Sequence, residues 1–509
     1  MSLSDMTHNY GANTLYDAVF GVHSKSNKTF LYTEQGEVSY AAFTGMTNKL
    51  AHALSHAGLQ AGERVAVQAK KSVMQLALYA ATIKAGGVYL PLNTSYTAHE
   101  LDYFISNAKA SIVIVDDAAK DAVTPIADAA GATLLTLNAD ETGSLVSAAD
   151  GQSDQFEAVP RGPEDLGAIL YTSGTTGRSK GAMLCHRNLL SNTQVLEQTW
   201  QFTSDDTLLH MLPIYHTHGL FVACNLLAMV GGSMIFLTHF DAERALHWMP
   251  KATSMMGVPT FYTRLLAETM FTSDISRHMR LFISGSAPLL AATHIEFEDR
   301  TGHRILERYG MTETNMSTSN PYQNERRAGT VGMPLPGVTV RLADDAGKVV
   351  SKGEIGIIEL CGDNVFTGYW EMPEKTAESF RDDGFFITGD MAREDEDGYI
   401  TIVGRDKDLI ISGGLNIYPK EIEGLIDAHD GVTESAVIGV PHPDFGEGVV
   451  AILVADDSVT AEAVMAGISD KLAKFKQPKR ILFVDALPRN TMGKVQKAVM
   501  RTEHEEMFS

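Results

Sequence analysis

The chain has few cysteines and no excess of basic residues. Its 509 residues include only Cys185, Cys224 and Cys361, which are widely spaced and form no CxxC pair. Neither a disulfide framework nor a zinc site is therefore expected. Acidic residues outnumber basic ones by 63 to 41, which gives a net charge of −22. Nucleic-acid-binding proteins usually carry a basic surface, so the charge argues against nucleic acid as a partner.

Long apolar runs are also missing. No stretch reaches the roughly 18 apolar residues that would indicate a membrane span, and the amino terminus lacks the basic and apolar regions of a secretory signal. Hydrophobic residues make up 44% of the chain and charged residues 20%, which is typical of a globular protein. The sequence predicts a cytoplasmic enzyme with small-molecule substrates and no membrane partner.

What the chain does contain is a dense group of phosphate-binding residue types in YTSGTTGRSKG, residues 171–181. Glycines let the backbone approach an anion closely, while amide, hydroxyl and cationic groups donate to phosphate oxygens. The apolar run Leu166–Leu170 predicts a strand that leads into this loop. It is not a Walker A loop, because Ser179 and Gly181 occupy positions where that motif requires other residues. A flexible surface loop is the alternative. The candidate ATP-binding residues here are Thr172, Ser173, Gly174, Thr175, Thr176, Gly177 and Lys180.

The pattern of apolar segments predicts an α/β fold. Strand-like runs at Arg64–Ala69, Ala110–Val115 and Thr133–Leu137 alternate with helical stretches such as Val73–Ala85, which favours a largely parallel sheet. After Gly329, short strands separated by glycines predict a small β subdomain. We expect residues 1–405 to form a large N-terminal domain that binds ATP and acid.

The last hundred or so residues predict a separate, mobile α+β domain, residues 406–509. The expected elements are helices at Pro419–Asp427 and Ala461–Leu472 and strands at Glu434–Val440, Val449–Val454 and Ile481–Val484. The basic run KFKQPKR, from Lys474 to Arg480, is either a solvated face or a site for coenzyme A phosphates.

Six further segments occur in one order along the chain. They are LPIYHTHG from Leu212, SGSAP from Ser284, YGMTET from Tyr309, TGD from Thr388, GRDKDLIISGGLNIYPKEIE from Gly404, and PRNTMGKVQK from Pro488. With residues 171–181 they closely resemble the acyl-adenylate-forming superfamily, which comprises acyl-CoA synthetases, peptide-synthetase adenylation domains and beetle luciferases. The resemblance spans most of the chain, from about residue 30 to about residue 500.

The resemblance implies a site for ATP and Mg²⁺. Tyr309 would stack on adenine, and Asp390 with Arg405 would bind the ribose. Glu313 and the Thr172 hydroxyl would hold Mg²⁺, which prefers a carboxylate together with phosphate oxygens. Taken singly, Glu313 could be a helix-capping residue and Asp390 a turn residue. The remaining ATP-binding residues implied by the motifs are Ser286, Ala287, Pro288, Glu307, Arg308, Gly310, Met311 and Thr312.

The resemblance also implies two half-reactions. Lys494 resembles the family's mobile catalytic lysine, and His216 resembles its pocket histidine, although each alone is more often a solvated or a structural residue. Lys407 matches the hinge about which the C-terminal domain rotates. After rotation, the Ser412, Gly413 and Gly414 backbone would leave a tunnel for the pantetheine arm of coenzyme A. Lys494 also resembles lysines that are switched off by acetylation.

Finer patterns resemble malonyl-CoA synthetases, notably VPTFYTRLL, LFISGSAPLL and ERYGMTETNMSTSNPY. Those enzymes activate malonate, and often methylmalonate. A diacid brings a second carboxylate, which should meet a cation because burying it unpaired costs several kcal/mol. Arg264 is the preferred candidate and Arg280 the second. Ser286, Thr217 and Met311 would complete the acid pocket.

Three functions remain open from the sequence. The first is ATP-dependent malonyl-CoA synthesis through malonyl-AMP. The second is a CoA ligase for another short or aryl acid, and the third is a luciferase-like oxygenase or a nucleotide-binding protein without ligase activity. Lys494, Glu313 and the Gly413–Gly414 pair argue against the third. Since the chain ends at Ser509 without a carrier domain, a free-standing synthetase is expected rather than a peptide-synthetase module.

Overall fold

The computed structural model describes residues 11–172, 179–286, 289, 291–344, 346–405, 410–417, 419–488 and 495–508, without the side chains of residues 292, 403–405, 416 and 420. These residues form two compact units. The first takes in the residues up to Thr94, Ile105–Leu170 and Gly181–Gly404. The second takes in Ser95–Phe104, the described part of 171–180, and the residues from Arg405 onward.

The helices and strands follow in chain order. The strands are β1 (Thr29–Thr33), β2 (Gly36–Ser39), β3 (Arg64–Gln68), β4 (Val88–Pro91), β5 (Ala110–Val115), β6 (Thr133–Thr136), β7 (Leu166–Thr172), β8 (Lys180–Cys185), β9 (Thr207–His210), β10 (Ser233–Phe236), β11 (Ser254–Gly257), β12 (Leu281–Ser284), β13 (Leu306–Met311), β14 (Asn315–Ser319), β15 (Met333–Pro334), β16 (Val338–Ala343), β17 (Ile355–Gly362), β18 (Gly368–Tyr369), β19 (Phe386–Glu394), β20 (Ile400–Arg405), β21 (Ile410–Ser412), β22 (Leu415–Ile417), β23 (Val432–His442), β24 (Gly446–Ala455) and β25 (Arg480–Phe483). The α-helices are α1 (Thr14–Tyr16), α2 (Tyr40–His56), α3 (Val73–Lys84), α4 (Ala98–Ala108), α5 (Lys120–Ala130), α6 (Ser144–Ala149), α7 (His186–Trp200), α8 (Asn225–Val230), α9 (Ala242–Trp248), α10 (Pro259–Ala267), α11 (Ser273–Ser276), α12 (Ala291–Thr301), α13 (Pro373–Glu378), α14 (Pro419–Ile426), α15 (Ala461–Ile468) and α16 (Lys497–Glu503). A π-helix, His218–Cys224, precedes α8.

The predicted β-α-β alternation forms a seven-stranded sheet with the strand order β18-β8-β7-β4-β3-β5-β6. The strands from β7 to β6 pair in parallel, whereas β18 pairs antiparallel with β8. Between β3 and β4, the Ser72 side chain caps α3 by accepting a hydrogen bond from the amide of Gln75. Because α3 is apolar on nearly all sides, it is buried almost completely.

A second, nine-stranded sheet carries three of the seven motif segments. Its order is β15-β14-β13-β12-β11-β9-β10-β1-β2, and β9 to β13 run parallel to one another. The carboxyl ends of parallel strands lie at one edge of a sheet, which is where ligands bind in open α/β sheets. The segments that follow β9, β12 and β13 are LPIYHTHG, SGSAP and YGMTET. The topology therefore places three motifs at the same edge.

The predicted β subdomain is a four-stranded sheet, β16-β17-β19-β20, in which β17 pairs antiparallel with β16 and β19. Its strand β19 contains Asp390. Arg341 and Arg381 pair with the buried carboxylate of Glu359 on β17. These charge-assisted contacts supply the partners that a buried carboxylate needs.

The second unit contains a five-stranded sheet with β22-β21-β24-β23 antiparallel and β25 parallel to β24. Apolar residues of both sheet faces are buried, in two clusters. The expected α+β architecture is confirmed, but α15 ends at Ile468 rather than at the predicted Leu472. Within the described residues, no helix combines the length and apolar character needed to cross a membrane.

Candidate active site

The two ends of the predicted phosphate loop lie close together. Thr172 ends β7 and Lys180 begins β8, and the Thr172 hydroxyl donates to the Lys180 carbonyl at 3.5 Å. The Tyr103 hydroxyl donates to the carbonyl of Ser179 at 2.7 Å. The predicted ligands between these ends, Ser173, Gly174, Thr175, Thr176 and Gly177, lie outside the described residues.

Tyr309 and Asp390, predicted to bind adenine and ribose, are brought together across 81 residues of sequence. The Tyr309 hydroxyl donates to Asp390 Oδ2 at 2.6 Å, and both residues are buried. Tyr309 lies on β13 and Asp390 on β19, so two sheets of the first unit build this contact. An anionic acceptor strengthens the hydrogen bond, and it orients the aromatic ring relative to the carboxylate.

Glu313 lies in the turn between β13 and β14. Its side chain is buried, and Tyr369 on β18 donates to Oε1 at 3.0 Å. Within the part of the chain that the structure describes, no group of three or more His, Cys, Asp or Glu side chains could hold a metal by itself. A Mg²⁺ ion that arrives with a nucleotide needs only one or two protein oxygens. The single carboxylate of Glu313 fits such an ion.

The neighbouring Glu307 has structural hydrogen bonds of its own. Its Oε1 lies 3.1 Å from His294 Nδ1 and accepts from the Gly329 amide at 3.1 Å. Burial raises the pKa of Glu307, although these contacts oppose the rise. The side chain that was expected to bind ATP therefore joins β13 to two other segments of the first unit.

Arg308, the next residue on β13, differs from Glu307 in its contacts. Its side chain is buried, and neither Nε nor Nη2 has a hydrogen-bond partner among the described residues. Burial lowers the pKa of Arg308 to about 9. A Cβ atom at Gly285 would lie 2.3 Å from Arg308 Cζ, so this glycine leaves the space that the guanidinium occupies.

His218 is the polar group that connects Arg308 with Ser286. Ser286 Oγ lies 3.2 Å from His218 Nδ1, and the Arg308 guanidinium is near enough to His218 to influence its charge. His218 Nε2 and Thr217 Oγ1 are buried and have no hydrogen-bond partner in the described part of the chain. Burial, and then Arg308, lower the pKa of His218 well below 6.5. We call His218, Ser286 and Arg308 the acid-site group.

His216, the predicted pocket histidine, begins the same segment. It is half-buried, its Nε2 has no hydrogen-bond partner among the described residues, and burial lowers its pKa to about 4. Met311 and Thr312 are half-buried at the end of β13 and in the turn that follows. Gly310 lies between Tyr309 and Met311 on β13. Ala287 and Pro288 lie outside the described residues.

The two arginines that the sequence favours for the acid have different surroundings. Arg264 is exposed in the last turn of α10, where a cation is favourable to the helix dipole. Arg280 precedes β12, at the opposite end of the strand from Ser286, and makes two hydrogen bonds to Asp206, at 2.6 and 2.8 Å. The structure thus does not bring Arg280 into the acid-site group. Arg308 is predicted from the sequence to bind ATP, and the signal that marks it out is a cation inside a strand whose neighbouring residues are buried.

The glycines predicted to line a coenzyme A tunnel form a turn rather than a strand. Gly413 and Gly414 join β21 to β22 with φ of +58° and +76°, and Ser412 pairs with Leu415 across the turn. Two successive positive φ angles are typical of a two-residue hairpin and favour glycine. Arg405 ends β20 without a described side chain, and Lys407 and Lys494 lie outside the described residues.

Comparison with models of known protein families identifies the family of this chain. A model described as AMP-binding enzyme matches residues 21–370, and one described as AMP-binding enzyme C-terminal domain matches residues 421–494. The chain belongs to the AMP-binding enzyme family. The predicted superfamily and fold class are thereby confirmed for this AMP-binding enzyme.

Three known proteins are similar to this chain over most of its length. The malonate–CoA ligase of Arabidopsis thaliana is 36% identical over 475 residues, which are 86% of this chain and 78% of the relative. A feruloyl-CoA synthase of an Amycolatopsis species is 37% identical over 471 residues, 91% of this chain and 93% of the relative. The solved structure of ATP-bound MatB from Rhodopseudomonas palustris is 56% identical, with a TM-score of 0.78, and covers 98% of this chain and 100% of its own.

Proposed function

We propose that the enzyme ligates malonate to coenzyme A at the expense of ATP, through a malonyl-adenylate, and that methylmalonate is a second substrate. The products are malonyl-CoA, AMP and pyrophosphate. The observation that carries the acid is the buried guanidinium of Arg308, which has no hydrogen-bond partner at Nε or Nη2 among the described residues. The malonate–CoA ligase similarity supports the same acid.

A second carboxylate is the chemical group that this guanidinium lacks. Burying a cation without a partner costs several kcal/mol, and a bidentate carboxylate restores the lost interactions. Ser286 and His218 add neutral hydrogen-bonding groups beside it. A monocarboxylic acid would leave Arg308 unpaired, so the site discriminates against it.

The near carboxylate of the acid performs the first half-reaction. Its oxygen attacks the α-phosphorus of ATP, a P–O bond forms, and the bond to the β-phosphate oxygen breaks as pyrophosphate leaves. Tyr309 and Asp390 would orient the nucleotide, and Glu313 would hold a Mg²⁺ ion, whose charge would offset that of the phosphates. Lys494 is proposed to place a cation between the acid and the α-phosphate.

In the second half-reaction, the thiol sulfur of coenzyme A attacks the acyl carbon. The bond between that carbon and the AMP oxygen breaks, and the thiol proton passes to solvent. Rotation of residues 406–509 about Lys407 is proposed to bring the Gly413–Gly414 turn to the acyl-adenylate. Acetylation of Lys494 would remove its charge and is proposed to impair adenylation more than thioester formation.

Substitution of the two competing arginines tests the acid assignment. We expect Arg308→Met to lower kcat/KM for malonate by about 100-fold, because about 3 kcal/mol of charge-assisted hydrogen bonding is lost. Arg264→Met, the matched control, should change it less than about three-fold. The measurement is acid-dependent AMP release at saturating ATP and coenzyme A. Loss of malonate use in Arg264→Met with full activity in Arg308→Met would overturn the assignment and return the role to Arg264.

A second candidate is ligation of an aryl acid, favoured by the similarity to the feruloyl-CoA synthase. A panel of malonate, methylmalonate, acetate and ferulate, each with ATP and coenzyme A, separates the two. Preference for ferulate over malonate would replace the proposed function. The cytoplasmic location stays a prediction, since three of the malonate–CoA ligases similar to this chain are named as mitochondrial.

A further inference from the structure

A buried lysine, Lys71, contacts His210, whose ring contacts the segment that carries His218. Lys71 Nζ is 2.7 Å from His210 Nδ1, donates to the His210 carbonyl at 3.1 Å, and lies 4.3 Å from the centroid of the Phe236 ring. Among the described residues, no acidic side chain forms an ion pair with it. Fully buried lysines are rare without such a partner, so this lysine calls for an explanation beyond packing.

The contact with Lys71 determines which nitrogen of His210 carries the proton. An ammonium group can only donate, so His210 Nδ1 must accept and Nε2 must carry hydrogen. Nε2 then donates to the Gly219 carbonyl at 2.9 Å, to which Cys224 Sγ also donates at 3.1 Å. Gly219 belongs to the π-helix His218–Cys224 and directly follows His218.

The chain of contacts thus runs from Lys71 through His210 and Gly219 to the acid-site group. Its last link is the 3.2 Å contact between His218 Nδ1 and Ser286 Oγ. We propose that Lys71 and His210 are positioning residues, which hold the π-helix and hence His218 in place for the acid. This inference rests on the proposed function.

The positioning should depend on pH near neutrality. Burial lowers the pKa of Lys71 to about 7, opposed by Cys224. Among the described residues, His210 and Cys224 are the titratable groups in contact with or acting on Lys71. Burial lowers the pKa of His210 well below 6.5 and raises that of Cys224 to about 12. Below about pH 7, the ammonium therefore keeps the donating nitrogen of His210 on the Gly219 carbonyl. Above it, His210 can carry its proton on Nδ1 and turn an acceptor toward that carbonyl.

Lys71→Met tests this chain, with Lys84→Met as its control. Lys84 is also buried, lies 2.5 Å from Asn48 Oδ1 and has its pKa lowered to about 8 by burial. We expect Lys71→Met to lower kcat/KM for malonate about ten-fold at about pH 6, through KM for malonate rather than for ATP. The deficit should shrink as pH rises to about 8.5, whereas the ratio of Lys84→Met to wild type should not change with pH.

Two more variants separate positioning from a folding defect. Lys71→Arg keeps a charged donor at every pH and should retain activity without the pH dependence. His210→Phe should show the same defect as Lys71→Met, and adding Lys71→Met to it should cost nothing further. A Lys71→Met enzyme that matches Lys84→Met at every pH, while the wild type is active, would overturn the positioning role. A wild type that releases no AMP with any acid would instead overturn the proposed function.

Discussion

At the scale of single residues, the hydrogen bond from Tyr309 to Asp390 joins the residues proposed to bind adenine and ribose. We expect Tyr309→Phe to raise KM for ATP by about five- to ten-fold, because one charge-assisted hydrogen bond to a buried carboxylate is lost. KM for malonate should stay within about two-fold. Tyr399→Phe is the matched control, since its hydroxyl donates to the Glu325 carbonyl at 2.7 Å. Equal KM values for ATP in the two variants would contradict a role in nucleotide binding.

At the scale of elements, a buried ion cluster lies within the second unit. Lys476 Nζ lies 3.0 Å from Glu100 Oε1 and 2.8 Å from Glu421 Oε1, and all three residues are largely buried. The side chain of Lys476 is thus committed to carboxylates, and does not serve as a solvated or coenzyme-binding part of KFKQPKR.

Removing this lysine should destabilise the second unit. We expect Lys476→Met to lower the free energy of unfolding by about 3 kcal/mol, because two buried carboxylates lose their cation. Lys474→Met, two residues earlier and exposed, should change it by less than about 0.5 kcal/mol. Urea unfolding followed by circular dichroism measures both. Equal stability of the two variants would show that the cluster adds nothing.

At the scale of the whole molecule, buried histidines couple stability to pH. Burial lowers the pKa of His186 and His216 to about 4, and those of His210 and His218 well below 6.5. Above about pH 6.5 these histidines are neutral whether the chain is folded or unfolded, so they leave stability unchanged. Below it the unfolded chain binds protons that the folded chain does not, and stability falls.

We therefore expect the free energy of unfolding to decline from about pH 6.5 to pH 4, by about 1.4 kcal/mol per pH unit for each proton taken up. Urea titrations at several pH values measure the slope. His186→Gln should reduce this slope by the equivalent of about one proton, because the lowered pKa of His186 is then lost. His186 suits the test because it lies outside the acid-site group and its ring accepts a hydrogen bond only from the Leu15 amide among the described residues. An unchanged slope in this variant would show that His186 does not contribute to the pH dependence of stability.

The sequence by itself determined the family and the α/β class, and it predicts the chemistry of the nucleotide site. Local patterns suffice for the family and the fold class, because each strand, helix and motif is recognised from residues that are close together in the sequence. The predicted strand at Ala110–Val115 has the bounds of β5, and the motifs alone point to Tyr309, Glu313 and Asp390.

Only the tertiary structure decided which charged side chains are neutralised by an ion pair and which can bind a ligand. Arg280 is neutralised by Asp206, whereas Arg308 is buried without a hydrogen-bond partner at Nε and Nη2 among the described residues. Lys71 and His210 are 139 residues apart in the chain and meet only through folding. The physical reason is that the charge and hydrogen-bonding state of a side chain depend on burial and on partners from distant segments, neither of which a local sequence pattern contains.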